Sequence, residues 1–91
     1  MLQPREAVAA AKKQLIEIFS GEGIAPPTLE EIWYDEDEQV WVVTLGVRRV
    51  DQAGKIVDRL GLRDYKAVRV SDKDGSVVAI RDRFNDALAQ R

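Results

Sequence analysis

Two hydrophobic rhythms divide this chain. Over residues 4–20, apolar side chains recur at spacings of three and four. Val8, Ala11, Leu15, Ile16 and Phe19 share one stripe, while Arg5, Glu6, Lys12, Lys13 and Glu17 take the other faces. That spacing predicts an amphipathic helix. Pro4 suits its first position, where the missing N–H would have no partner in any case. Gly21 and Gly23 follow the last apolar residue and offer a left-handed cap. Pro26 and Pro27 then enforce an extended connector.

Beyond the prolines the period drops to two. Residues 29–34 (LEEIWY) and 39–49 (QVWVVTLGVRR) predict two strands, joined by a polar turn at Asp35 to Glu38. In the longer strand Trp41, Val43, Leu45 and Val47 lie on one side, and Val40, Val42, Thr44 and Gly46 on the other. The first set is bulkier and predicts the core side, Trp41 included. Gly46 inside a strand predicts a bulge or a close backbone approach. Residues 65–71 (YKAVRVS) and 76–82 (SVVAIRD) return to strand. Between them, over 51–60, Ala53, Ile56, Val57 and Leu60 make a helical stripe, with Asp51 as N-cap and Gly61 as terminator. A short helix or helical loop is expected there, although Gly54 opposes it. The tail from Asp82 can add a helical turn through Phe84, Ala87 and Leu88, or fray. The pattern predicts one α+β domain over residues 1–91, an N-terminal helix packed on an antiparallel sheet of about four strands.

Composition narrows the chemistry. The 91 residues contain no cysteine and no histidine. Disulfides and thiolate metal sites are therefore out of reach, and so are the commonest general base and metal ligand. Absent cysteine suits a reducing, cytoplasmic compartment. No apolar run approaches a membrane span, and the charged start MLQPREAVAAAKKQ does not read as a signal peptide. The net charge is −2, but residues 1–47 hold three Lys/Arg against nine Asp/Glu (−6) and residues 48–91 hold eleven against seven (+4). Such an asymmetry can orient a partner. Arg48, Arg49, Lys55, Arg59, Arg63, Lys66 and Arg69 could track phosphates, yet a sequence pI near 5.1 argues against nucleic acid.

Asp72-Lys73-Asp74-Gly75 poses a choice between a calcium loop and a hairpin tip. With Gly75 as the sixth loop residue, Val70 and Arg81 would occupy the first and twelfth ligand positions. A hydrophobe and a cation there cannot supply the ion's oxygens. A tight turn uses every residue of the string.

That turn carries a resemblance. Tyr65, Val68, Val70, Asp72, Gly75, Val77 and Val78 follow the closing hairpin of PepSY-type domains. Trp41, Val43 and Leu45 match the central strand, and Ala7 to Phe19 the leading helix. The chain resembles that family over most of residues 5–81, with residues 48–64 inserted between the strand pairs. The resemblance implies the same α+β fold and a role in binding or regulation, as in peptidase propeptides thought to inhibit. A toxin-blocking immunity-type domain is a similarly built alternative.

No nucleophile sits with a base. Ser20, Ser71 and Ser76 fall at predicted element ends. No glycine loop precedes a helix to cradle phosphate. A small enzyme working with carboxylates alone, drawn from Glu30, Glu31 and Asp35 to Glu38, is the alternative from another class. The expected activity is non-catalytic binding of a protein partner, without cofactor, metal, nucleic acid or membrane. The candidate contact residues are Trp33, Tyr34, Arg48, Arg49 and Tyr65, since aromatic and arginine side chains anchor interfaces. An exposed strand edge also offers self-association.

Overall fold

A computed structural model of the chain describes residues 1–51, 53, 55–57 and 64–83. Helix α1 spans Pro4–Ile18, and six strands follow: β1 (Thr28–Asp35), β2 (Val40–Val47), β3 (Arg49–Val50), β4 (Ile56–Val57), β5 (Asp64–Ser71) and β6 (Val77–Arg83). β1, β2, β5 and β6 form one antiparallel sheet in the order β1-β2-β5-β6. The helix lies on one side of it, which is the expected α+β arrangement.

The core is the seam between helix and sheet. Ala7, Ala11 and Leu15 of α1 are buried against Val43, Leu45 and Val47 of β2 and Val68 and Val70 of β5. Trp41 packs onto this cluster from the predicted core side. The buried helix stripe differs from the expected one in one member. Ile16 is 48% exposed, whereas Ala7 is fully buried. Successive helical residues diverge by about 100°, so Leu15 and Ile16 cannot both face a flat sheet. The small Ala7 and Ala11 let the helix backbone lie close.

Local chemistry shapes the ends. Pro4 opens the helix, and the Gln3 N–H donates to Glu6 Oε1 at 2.9 Å. Phe19 caps the helix, and Gly21 follows in the left-handed region at φ 88°. In the β1–β2 turn Asp35 Oδ1 accepts the N–H groups of Asp37 (3.0 Å) and Glu38 (3.3 Å).

The described part of residues 51–60, namely Asp51, Ala53 and residues 55–57, departs from expectation. Ile56 and Val57 are strand, paired with Val50 and Arg49, not helix. Asp51 does not cap a helix either. Its Oδ1 accepts the N–H groups of Ala53 and Lys55, both at 2.9 Å, and turns the chain back on itself. β-Branched Val50, Ile56 and Val57 favour the ladder. The ribbon has a third line, since Ile24 bridges to Arg49 and the Ala25 N–H donates to the Arg48 carbonyl at 2.9 Å. Leu60 and Gly61 of the expected helix lie outside the described residues. At the C-terminus β6 runs on through Asp82 and Arg83; Phe84, Ala87 and Leu88 lie outside the described residues.

Candidate functional site

The sheet has a second side, turned away from α1. Strand alternation and register place a row of side chains across it: Trp33 of β1, Val42 of β2, Arg69 of β5 and Ala79 of β6. Glu31 and Asp35 flank Trp33 on the same side of β1. Among the described residues no helix or strand packs on this side. Val42 is nonetheless buried, lying between Trp33 and Arg69, while Trp33 itself is 47% exposed.

Arg69 organises the row. Its Nη2 donates to Asp35 Oδ2 at 2.8 Å and to Glu38 Oε2 at 2.7 Å. The guanidinium is thereby drawn toward the β1–β2 turn, beside the indole's strand. The Glu38 backbone N–H, with help from Arg69 and the Asp37 N–H, holds the Asp35 carboxyl below the usual carboxylate range. The two carboxylates in turn raise the Arg69 pKa. Asp35, on the indole's own strand, is therefore held as an anion and shares the Arg69 cation with Glu38.

Further along the same side, Gly46 stands between Thr28 and Tyr65. The Thr28 hydroxyl donates to Glu30 Oε2 at 2.8 Å, and this pair folds over Gly46. A Cβ there would stand 2.9 Å from each of the two oxygens. Side-chain oxygens, not the expected backbone, thus approach this glycine, and the β-bulge of the pair lies in β1 between Leu29 and Glu31 rather than at Gly46.

The five candidate contact residues are dispersed. Trp33 and the half-buried Tyr65 share the outer side, with β2 between their strands and a stagger of four residues, roughly 13 Å, along them. Tyr34, one residue on from Trp33, points to the helix side. Its ring meets Trp41 edge-on with centroids 5.0 Å apart, and its hydroxyl donates to Asp72 Oδ2. That hydrogen bond, aided by burial and by the negative charge of Asp72, pushes the Tyr34 pKa up to about 12. Arg48 and Arg49 lie past the end of β2 in the ribbon, with Arg49 3.8 Å from Glu22. The basic residues on β5 also diverge. Lys66 pairs with Asp82 and lies 5.5 Å from the Phe19 ring centroid on the helix side, opposite Arg69.

Asp72 and Asp74 have separate structural tasks in the hairpin tip. Asp72 receives Tyr34. Asp74 Oδ1 accepts the Ser76 N–H at 2.9 Å and its hydroxyl at 2.7 Å, and these hydrogen bonds lower its pKa. Gly75 is left-handed at φ 75°, and its N–H closes the loop onto the Ser71 carbonyl at 3.0 Å.

Sequence reasoning placed Arg69 only among scattered cations. The available signal was the period of two combined with register: once β1, β2 and β5 are aligned, Arg69 falls in line with Trp33. Comparison of the chain with protein-family models, curated proteins and solved structures returned no match. Among the described residues no helix is long and apolar enough to cross a membrane.

Proposed function

We propose that this chain is a non-catalytic protein-binding module of the regulatory, PepSY-like kind, acting in the cytoplasm, with Trp33 as its anchor. The observation that carries the reading is the half-exposed indole on the outer side of β1, in line with buried Val42 and ion-paired Arg69. A large rigid aromatic held on a strand and left in water is the kind of group that gains most by entering a partner's pocket. In sequence, residues 28–38 flank it with Glu30, Glu31, Asp35, Glu36, Asp37 and Glu38 and no Lys or Arg, and Arg69 across the sheet pairs with two of these acids. A partner presenting an apolar pocket rimmed by basic residues would complement both features. Peptidase inhibition and toxin blocking are two biological settings that use this kind of contact.

Selection from a random peptide display library tests the reading. The wild-type chain should enrich apolar sequences carrying Lys or Arg, and Trp33→Ala should lose that enrichment while keeping its far-ultraviolet circular dichroism. A Trp33→Ala chain that unfolds would make the indole part of the core. Equal enrichment by both chains would place the contact elsewhere. The small-enzyme alternative predicts instead a hydrolytic activity that falls with Asp35→Asn or Glu31→Gln.

A further inference from the structure

Asp74-Gly75 is the only place in the chain where an aspartate precedes a glycine. That pairing has its own covalent chemistry. The following residue has no Cβ to block the approach, so the Gly75 nitrogen can attack the Asp74 side-chain carboxyl carbon. A bond forms between the nitrogen and Cγ, and the bond from Cγ to the acid's hydroxyl oxygen breaks. That hydroxyl leaves as water together with the proton from the nitrogen. The product is a cyclic succinimide. Water then reopens the ring at either carbonyl. One opening restores aspartate, and the other leaves the main chain running through Cγ as an isoaspartyl linkage. The ring closes only with the carboxyl in its neutral acid form, with Cγ turned toward the Gly75 nitrogen, and with the Gly75 N–H free to give up its proton.

The hairpin tip withholds each of these conditions. Asp74 Oδ1 accepts the Ser76 N–H at 2.9 Å and the Ser76 hydroxyl at 2.7 Å, so the carboxylate reaches past Gly75 to the residue after it. Hydrogen bonds to the anion favour it over the acid form, and the Ser76 N–H and hydroxyl hold the Asp74 carboxyl below the usual carboxylate range. The Gly75 N–H is engaged as well, donating to the Ser71 carbonyl at 3.0 Å. Asp74 is exposed, so the protection rests on these hydrogen bonds and not on exclusion of water. We propose that Asp74 is a latent isoaspartate site, closed in the folded hairpin by Ser76 and by the Gly75–Ser71 hydrogen bond, and reactive when the tip opens. Local opening of an exposed turn costs less than global unfolding, so the site ages with the frequency of that opening. The isoaspartyl linkage adds a carbon to the main chain between Asp74 and Gly75 and changes the length of the loop that Gly75 closes onto Ser71. Asp72 belongs to the same tip. Its carbonyl accepts the Leu2 N–H and its carboxylate the Tyr34 hydroxyl, so the change reaches the contact that pins the start of the chain to the sheet. Trp33 has no part in this chemistry.

Prolonged incubation of the full chain at mildly acidic pH tests the site, read by peptide mass spectrometry that separates isoaspartate from aspartate at position 74. The folded wild-type chain should accumulate isoaspartate more slowly than the same chain held unfolded in urea. Ser76→Ala removes the hydroxyl donor and should keep its far-ultraviolet circular dichroism. It should isomerise about tenfold faster than the folded wild-type chain, the factor that loss of a hydrogen bond to a charged group corresponds to. Equal rates in the folded and unfolded wild-type chain, or a folded Ser76→Ala chain no faster than wild type, overturn the proposal. Where Ser76→Ala fails to fold, the two wild-type rates decide: a slower folded chain supports the latent site, and equal rates refute it.

Discussion

At the scale of single residues, the hairpin tip shows how much a side chain's absence can decide. Gly75 sits at φ 75° with only Leu2 atoms in ordinary contact range, the nearer 3.6 Å from a built Cβ. Space is therefore not what requires glycine there; the backbone conformation is. Gly75→Ala should cost about 1–2 kcal/mol of stability, the strain of a left-handed residue bearing a Cβ. Gly75→Asn should cost less, since asparagine tolerates that region better. Urea unfolding of the three chains checks the order. Asp72 to Gly75 was legible as a turn because Asp and Gly have local conformational preferences. The partner of Asp72 was not legible, since the Tyr34 hydroxyl comes from 38 residues away.

At the scale of elements, periodicity told most where one side of an element meets the core and the other meets water. α1 and the β5–β6 hairpin follow that rule, β2 is buried along both sides, and the positions of all of them agree with their patterns to within a few residues. The described part of residues 51–60 does not, because Ile56 and Val57 suit a helix stripe and a two-residue ladder equally well. The backbone partners offered by Arg49 and Val50 decide the outcome. The helix stripe was one residue too wide for a similar reason: spacing alone does not say how flat the opposing surface is. Paired substitutions separate the two readings of that stripe. Leu15→Ala should cost about 2–5 kcal/mol, the range for deleting a fully buried leucine side chain. Ile16→Ala should stay within about 0.5 kcal/mol, as for a solvent-facing position. Thermal or urea unfolding reads both. A large loss at Ile16 would mean that its half-exposed side chain covers apolar surface after all.

At the scale of the whole molecule, one cluster ties the start of the chain to the far end of the sheet. The Leu2 N–H donates to the Asp72 carbonyl at 3.0 Å, and the Trp41 indole N–H donates to the Leu2 carbonyl at 3.1 Å. Tyr34 stacks edge-on to Trp41 and donates to Asp72. Helix entry, β1, β2 and the closing hairpin are thereby held at one point, with no single stretch of sequence announcing it. The tyrosine makes this lock sensitive to alkali. Its pKa is raised from 10.0 to about 12, chiefly because the neutral hydroxyl donates to Asp72. The unfolded chain releases that proton near pH 10, while the folded chain retains it until near pH 12. The stabilisation is therefore complete below pH 10 and disappears as the pH rises through 12. Absorbance at the phenolate band should show one tyrosine ionising late, and Tyr34→Phe should remove that step. The same substitution should flatten the part of the decline in melting temperature that the wild-type chain shows between those two values. A late step that survives in Tyr34→Phe would remove the pH-sensitive part of this lock.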